Sequence, residues 1–173
     1  MRRRSVFDGK LLRVFEDTVR LPGGREATRE VVEHPGAVAV VATADDGRIV
    51  MVRQWRHAAG RAIWELPAGT RETGEDPDAT ARRELTEETG YSAREWRDLG
   101  RGAVSPGYSN EDIWFYEARG LTDGTSRPDV DELLDVGLFT PAEVAELAGR
   151  REVDLKTLAG LALAGVSLGA RDV

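Results

Sequence analysis

Apolar residues along this chain gather in short blocks broken by turn formers, and the block lengths predict strands first and helices later. Leu11 to Leu21 and Glu26 to His34 predict two strands joined across Leu21-Pro22-Gly23-Gly24, where both turn formers are present. Ala37 to Ala44 and Arg48 to Trp55 predict a second hairpin across Asp45-Asp46-Gly47. Ala62 to Leu66 reads as a short strand that runs into a Pro67-Ala68-Gly69 turn. A helix follows over Pro77 to Thr89. Asp76 is a natural N-cap, Pro77 takes the first helical position where its missing N–H costs nothing, and Gly90 is the left-handed stop. Strands are expected near Trp96 to Gly102, Asp112 to Ala118 and Leu133 to Phe139. Thr140-Pro141 opens a helix through Ala148, and a last helix runs from about Asp154 to Leu168. Strands, one helix, more strands and then helices predict an α/β fold, a mixed sheet covered by helices on its faces. No internal repeat or low-complexity linker interrupts it.

The helix at Pro77 to Thr89 carries the candidate chemistry. Ala81 and Leu85 share a face that can pack into a core, while Glu84, Glu87 and Glu88 stand at i, i+3 and i+4 on another. Three like charges on one face repel, and a hard cation with oxygen ligands removes that cost. A solvated acidic helix is the plainer alternative, since glutamate is a good helix former. The wider pattern decides between them. Gly69, Glu75, Arg83-Glu84-Leu85, Glu87-Glu88 and Gly90-Tyr91 fix nine positions over 23 residues, a coincidence expected on the order of once in ten million starts at this chain's composition.

This spacing resembles the signature box of the Nudix hydrolases, with every defining position filled. The resemblance implies an α/β/α sandwich with a mixed sheet and cleavage of nucleoside diphosphates linked to another moiety. It also implies magnesium or manganese held by Glu84 and Glu88, with Glu87 bridging or ligating a second ion and the main-chain carbonyl of Ala68 completing the shell. A divalent ion neutralises phosphate oxygens and lowers the pKa of a bound water, the two things a pyrophosphate bridge needs for hydrolysis. Arg83 is expected to pair with a box glutamate such as Glu75 and hold the constellation in place.

Outside the box, Arg53-Gln54-Trp55-Arg56, Glu65-Leu66-Pro67-Ala68-Gly69 and Ser105-Pro106-Gly107 resemble the ADP-ribose pyrophosphatase branch of that family, with Pro106 sixteen residues after Gly90. The likeness covers about Arg29 to Leu163. Taken alone, Arg56 can fork onto a phosphate or serve as an ordinary surface arginine. Glu111 can accept both hydroxyls of a ribose, and Ser105-Pro106-Gly107 is a stiff turn whose backbone can approach a ligand. Within the branch these become substrate-binding positions, together with Arg29 and Glu30 at the adenine end. Trp55, Trp64 and Tyr108 could stack on adenine, although burial is the plainer fate of Trp64 and Trp114. The branch places its general base on a loop before the last strand. Here that loop is Leu121 to Leu133, polar and punctuated by Gly124 and Pro128, with Glu132 the best match and Asp131 next.

Relatives in the branch also exchange an N-terminal hairpin between subunits. The resemblance therefore implies a homodimer in which residues 1–35 form the dimerisation hairpin and residues 36–173 the hydrolase domain. An isolated hairpin is marginal in water and needs another surface. The implied reaction converts ADP-ribose and water to AMP and ribose 5-phosphate. A GDP- or UDP-linked sugar and a non-catalytic nucleotide-sensing module are the alternatives; the intact box weighs against the second.

Composition agrees with an ordinary globular domain. The chain has 173 residues, 40% hydrophobic and 32% charged, enough for one domain with a sizeable core. Cysteine is absent, which excludes disulfides and thiolate metal sites and fits a cytoplasmic setting. No apolar stretch reaches membrane-spanning length, and MRRRSVFDGK lacks the apolar region of a secretory signal. A net charge of −7 disfavours general nucleic-acid binding. Arg2 to Arg4 read as a frayed, solvated end before they read as a phosphate-binding arm. Only His34 and His57 are histidines, so histidine metal clusters and Ser/His/Asp hydrolysis are set aside, and no GxxxxGK[ST] loop is present. Lysine occurs only at Lys10 and Lys156, a coding bias before it is a phosphate preference.

Overall fold

The computed structural model describes residues 2–72, 74–124 and 134–169. The chain begins with strands β1 (Arg2–Asp8), β2 (Arg13–Arg20) and β3 (Glu26–Glu33), then β4 (Ala37–Ala42) and β5 (Ile49–Arg56). A single 3₁₀ turn over His57–Ala59 leads to β6 (Arg61–Glu65) and β7 (Ala68–Thr70). Helix α1 (Pro77–Thr89) precedes β8 (Ser92–Ala103), β9 (Asp112–Thr122) and β10 (Asp135–Phe139). Helices α2 (Pro141–Gly149) and α3 (Leu155–Leu163) close the described chain.

β4 organises the core because its side chains alternate between two apolar faces. Val38, Val40 and Ala42 meet Ala81 and Leu85 of α1, while Val41 meets Val144 of α2 and Leu161 of α3. All eight are fully buried. Helices thus cover both faces of the sheet, and the expected α/β/α sandwich is the observed one. The central sheet runs β7-β4-β9-β8. It is mixed: β4 pairs with β9 in parallel, Val38 opposite Trp114, and with β7 antiparallel, Val38 opposite Gly69. A second sheet, β10-β5-β6, is antiparallel. The N-terminal strands form a third sheet, β1-β2-β3.

Three differences from the sequence reading have local causes. Arg2 to Arg4 are not frayed; they lie in β1, because the Arg3 guanidinium forks onto Asp17 with two bonds of 2.8 Å, pairs with Glu33 and covers the Phe15 ring at 4.5 Å. The N-terminal element is therefore three strands, one more than the hairpin expected. Ala68 and Gly69, read as part of a Pro67-Ala68-Gly69 turn, lie in strand β7 because its backbone pairs with the edge of β4. α3 ends at Leu163 and not near Leu168; Gly165, at φ 74, turns the chain out of the helix.

Candidate active site

Pairing of β7 with β4 and packing of α1 on the same strand bring the two ends of the box together. Burial of Leu85 contributes about 1.5–3 kcal/mol and fixes how α1 is rolled, which turns Glu84 and Glu88 toward β7. Glu88 is only 4% exposed and accepts a 2.9 Å hydrogen bond from the Ala68 N–H. The Glu84 carboxylate sits against Gly69, where a Cβ would stand 2.0 Å from its Cδ and Oε1. Only glycine leaves room for it. Asp76 caps α1 through the Asp78 N–H and Gly90, at φ 77, ends it, as expected.

Repulsion among the box carboxylates is offset from within the chain. Arg83 donates to Glu75 at 3.0 and 3.1 Å, to Glu84 at 2.8 Å and to Glu87 at 2.9 Å. The expected Arg83–Glu75 pair is present. The Arg83 hydrogen bonds hold the Glu75 carboxyl well down, to about 2, against its burial. The Glu75 carbonyl accepts from Arg71 at 2.5 Å, and that guanidinium lies 4.6 Å over the Trp114 ring. Trp114, half-buried on the α1 side, thus acts as the floor under the box loop.

A cleft of about 280 Å³ opens beside Ala68 and Gly69, with Arg56, Glu111, His34 and Lys156 in its wall. Two positions singled out from sequence, Arg56 and Glu111, therefore face the same space as the box backbone. Arg56 does not project freely: it forks onto Glu65 at 2.7 and 2.6 Å. Glu65, 3% exposed, also accepts from Lys156 at 2.5 Å. Burial alone would raise the Glu65 carboxyl, but the Arg56 fork and Lys156 outweigh it and hold the group below its usual value. Sequence reasoning missed Glu65, Lys156, Gln54 and His34 as residues of this site. Gln54 and Glu65 stood inside the motifs outside the box without a role of their own, and Glu65 also lies on the inward face of β6, two residues from buried Ile63. His34 Nδ1 accepts from Gly36 N–H at 3.1 Å and stands 3.6 Å from Glu111, too far for a hydrogen bond.

Other expected residues lie elsewhere. Arg29 and Glu30 are exposed neighbours on β3, opposite Asp17 and Glu16 respectively, so they point to opposite faces of the N-terminal sheet and neither lines the cleft. Ser105, Pro106 and Gly107 form a turn closed by Tyr108 N–H to Ser105 O at 3.1 Å, outside the cleft lining. The turn is joined to β3 by Val32 N–H to Tyr108 O at 2.7 Å. Glu132 and Asp131 lie outside the described residues. Trp64 packs edge-on to Phe139 at 4.6 Å, whereas Trp55 and Tyr108 are exposed.

Glu84, Glu88, Glu87 and the Ala68 carbonyl supply oxygen donors only, the chemistry of a hard divalent cation. Glycine at 69 gives the Glu84 carboxylate the space to stand against β7. Among the described residues no three acidic or histidine side chains are already gathered as a metal cage. Arg83 holds Glu84 and Glu87 in this arrangement. The donors fit such a cation in kind.

Comparison with known families bears on this geometry directly. The NUDIX domain family matches residues 33–160, and a nucleoside diphosphate sugar hydrolase N-terminal domain matches residues 2–32. This chain belongs to the Nudix family. An ADP-ribose pyrophosphatase of Bacillus subtilis (strain 168) is 40% identical over 158 residues, 90% of this chain and 85% of that protein. One from Mycobacterium tuberculosis (strain ATCC 25618 / H37Rv) is 43% identical over 166 residues, 94% of this chain and 78% of that protein. A crystal structure of an ADP compounds hydrolase superposes with a TM-score of 0.83 over 95% of this chain and 90% of its own, at 20% identity, which supports the Nudix fold. With its box intact, the Nudix chain is a pyrophosphohydrolase, and its family generally depends on a divalent metal. No helix among its described residues is long and apolar enough to cross a membrane.

Proposed function

We propose that this chain hydrolyses the pyrophosphate bond of a nucleoside diphosphate sugar, converting ADP-ribose and water to AMP and ribose 5-phosphate. The observation that carries the reading is one juxtaposition: the box carboxylates converge on Ala68–Gly69, which also form the edge of a cleft holding Arg56 and Glu111. The names and coverage of the bacterial relatives support the substrate. Glu84, Glu88, Glu87 and the Ala68 carbonyl would hold magnesium, with manganese as a substitute. A bound ion of this kind neutralises phosphate oxygens and acidifies water. Arg83 keeps the carboxylates spaced, and Arg56 presents positive charge to the phosphates. Glu111 accepts ribose hydroxyls. Glu132 takes the proton of the attacking water, and one phosphorus–oxygen bond of the bridge breaks as the water oxygen joins that phosphorus.

The protein works as a cytoplasmic homodimer in this reading, with Arg29, Glu30 and the Ser105-Pro106-Gly107 turn serving the nucleotide end. The N-terminal sheet leaves Val6 and Phe7 56% and 57% exposed. Val6, Val14, Val32 and Tyr108 line a groove of about 250 Å³. Apolar area of this kind on an N-terminal sheet suits a second copy. Arg29 and Glu30, away from their own cleft, would then reach the partner's.

Turnover over a panel of ADP-, GDP- and UDP-linked sugars, with magnesium and with EDTA, tests the proposal. ADP-ribose should be cleaved fastest, and EDTA should abolish cleavage. Faster cleavage of a GDP- or UDP-linked sugar would reassign the substrate, and binding without turnover would make the protein a sensor.

A further inference from the structure

Lys156 stands where helix electrostatics disfavour it. It is the second residue of α3, in the first turn, where the macrodipole favours anions. Its stem is nonetheless largely enclosed, and Nζ reaches Asp154 at 2.7 Å and Glu65 at 2.5 Å. Asp154 caps α3 through the Thr157 N–H at 3.0 Å, and Thr157 accepts from the Leu66 N–H at 3.0 Å, so this helix end is locked onto the strand that carries Glu65. The chain otherwise uses arginine almost throughout, with Lys10 its only other lysine. An ammonium is a compact charge with three rotatable donors, and the two carboxylates take two of them. Glu65 likewise takes the Nε and Nη2 edge of Arg56. Both Arg56 and Lys156 line the cleft at the box edge.

We propose that Lys156 is a second substrate-contacting cation, acting with Arg56 on the pyrophosphate oxygens, and that Glu65 is the positioning residue that aims both. The inference rests on the cleft taking a nucleoside diphosphate. Two carboxylates, Glu65 and Asp154, balance the two cations while the cleft is empty of anion. An entering pyrophosphate then meets a row of donors already fixed in place, so little side-chain entropy is lost on binding.

The test uses the full chain and inorganic pyrophosphate, titrated calorimetrically in EDTA, beside ADP-ribose kinetics in magnesium. Lys156→Met should weaken pyrophosphate binding on the order of ten-fold, the size of one charge-assisted hydrogen bond. It should raise KM similarly and leave kcat within about two-fold, while the melting temperature falls because buried Glu65 loses one of its two counter-charges. Lys156→Gln carries the same expectation if the methionine variant fails to fold. Glu65→Gln should also weaken binding, and the double variant should remain weak. Wild-type affinity in Lys156→Met or Glu65→Gln, recovery of affinity in the double variant, or no pyrophosphate binding by the wild type would each overturn the proposal. If the wild type binds pyrophosphate through Lys156 yet cleaves nothing in the panel, the proposed reaction fails while this anion site stands.

Discussion

Replacing Gly69 with alanine asks whether one missing methyl group sets the position of Glu84. An alanine Cβ would lie 2.0 Å from Cδ and Oε1 of Glu84 and 2.4 Å from Oε2, whereas ordinary contact begins at 3.4 Å. The carboxylate must therefore retreat by about 1.4 Å, the difference between 3.4 and 2.0 Å. It is the far end of a flexible side chain, so the retreat needs no backbone shift, and the melting temperature should stay within a few degrees. A displacement of ~1 Å in a positioning group can cost about 10²-fold in rate. Steady-state turnover of ADP-ribose at saturating magnesium should show a fall in kcat of that order. Glu84→Gln in the same background should add little, because both changes strike one carboxylate. Wild-type kcat in Gly69→Ala would refute the placement of Glu84 in the chemistry. An unfolded variant would refute the claim that only its side chain yields.

Glu84→Gln and Glu88→Gln should each lower turnover by ~10²-fold or more while folding survives, since glutamine at 88 can still accept from the Ala68 N–H; full activity in either removes it from the metal site. Glu75 is depressed from 4.5 to about 2 by Arg83, so its contribution to stability is complete above about pH 4.5 and lost as pH falls toward 2. Thermal melts from pH 5 to 2.5 should accordingly show a shallower acid loss in Glu75→Gln, with part of the slope kept by Asp17 and Glu65, which are depressed too; an unchanged slope contradicts the Arg83 clamp. Glu132→Gln should lower kcat with little change in KM, and Asp131→Asn should do much less. The reverse ranking moves the base by one residue, and two silent variants remove the loop from the chemistry. Mixing Arg29→Ala with Glu84→Gln protein should give activity above the sum of the parents if subunits share sites; no recovery despite verified exchange of subunits and clear defects in both parents sinks the shared site.

Local rules were enough for α1. Asp76, Pro77 and Gly90 state its ends in residue types that act within one turn, and the spacing of Ala81 and Leu85 states which face is buried. The same helical period placed Glu84 and Glu88 together, and Arg83 within reach of Glu87. The alternation of Val38, Ala39, Val40 and Val41 between two apolar faces belongs to β4 alone, and from it comes a sheet covered on both sides. Tertiary structure decided what depends on partners far along the chain. Ala68–Thr70 is a strand only because β4 offers an edge, and Arg2 to Arg4 join a strand because β2 pairs with their backbone and Asp17 and Glu33 meet Arg3. Arg56 looked free in sequence, yet a carboxylate nine residues on, held also by a lysine 91 residues beyond it, fixes its aim. Glu65 breaks the apolar period of the inward face of β6 and Lys156 belongs to no pattern, and such a charge becomes legible only when burial deprives it of water and so forces it to find a counter-charge.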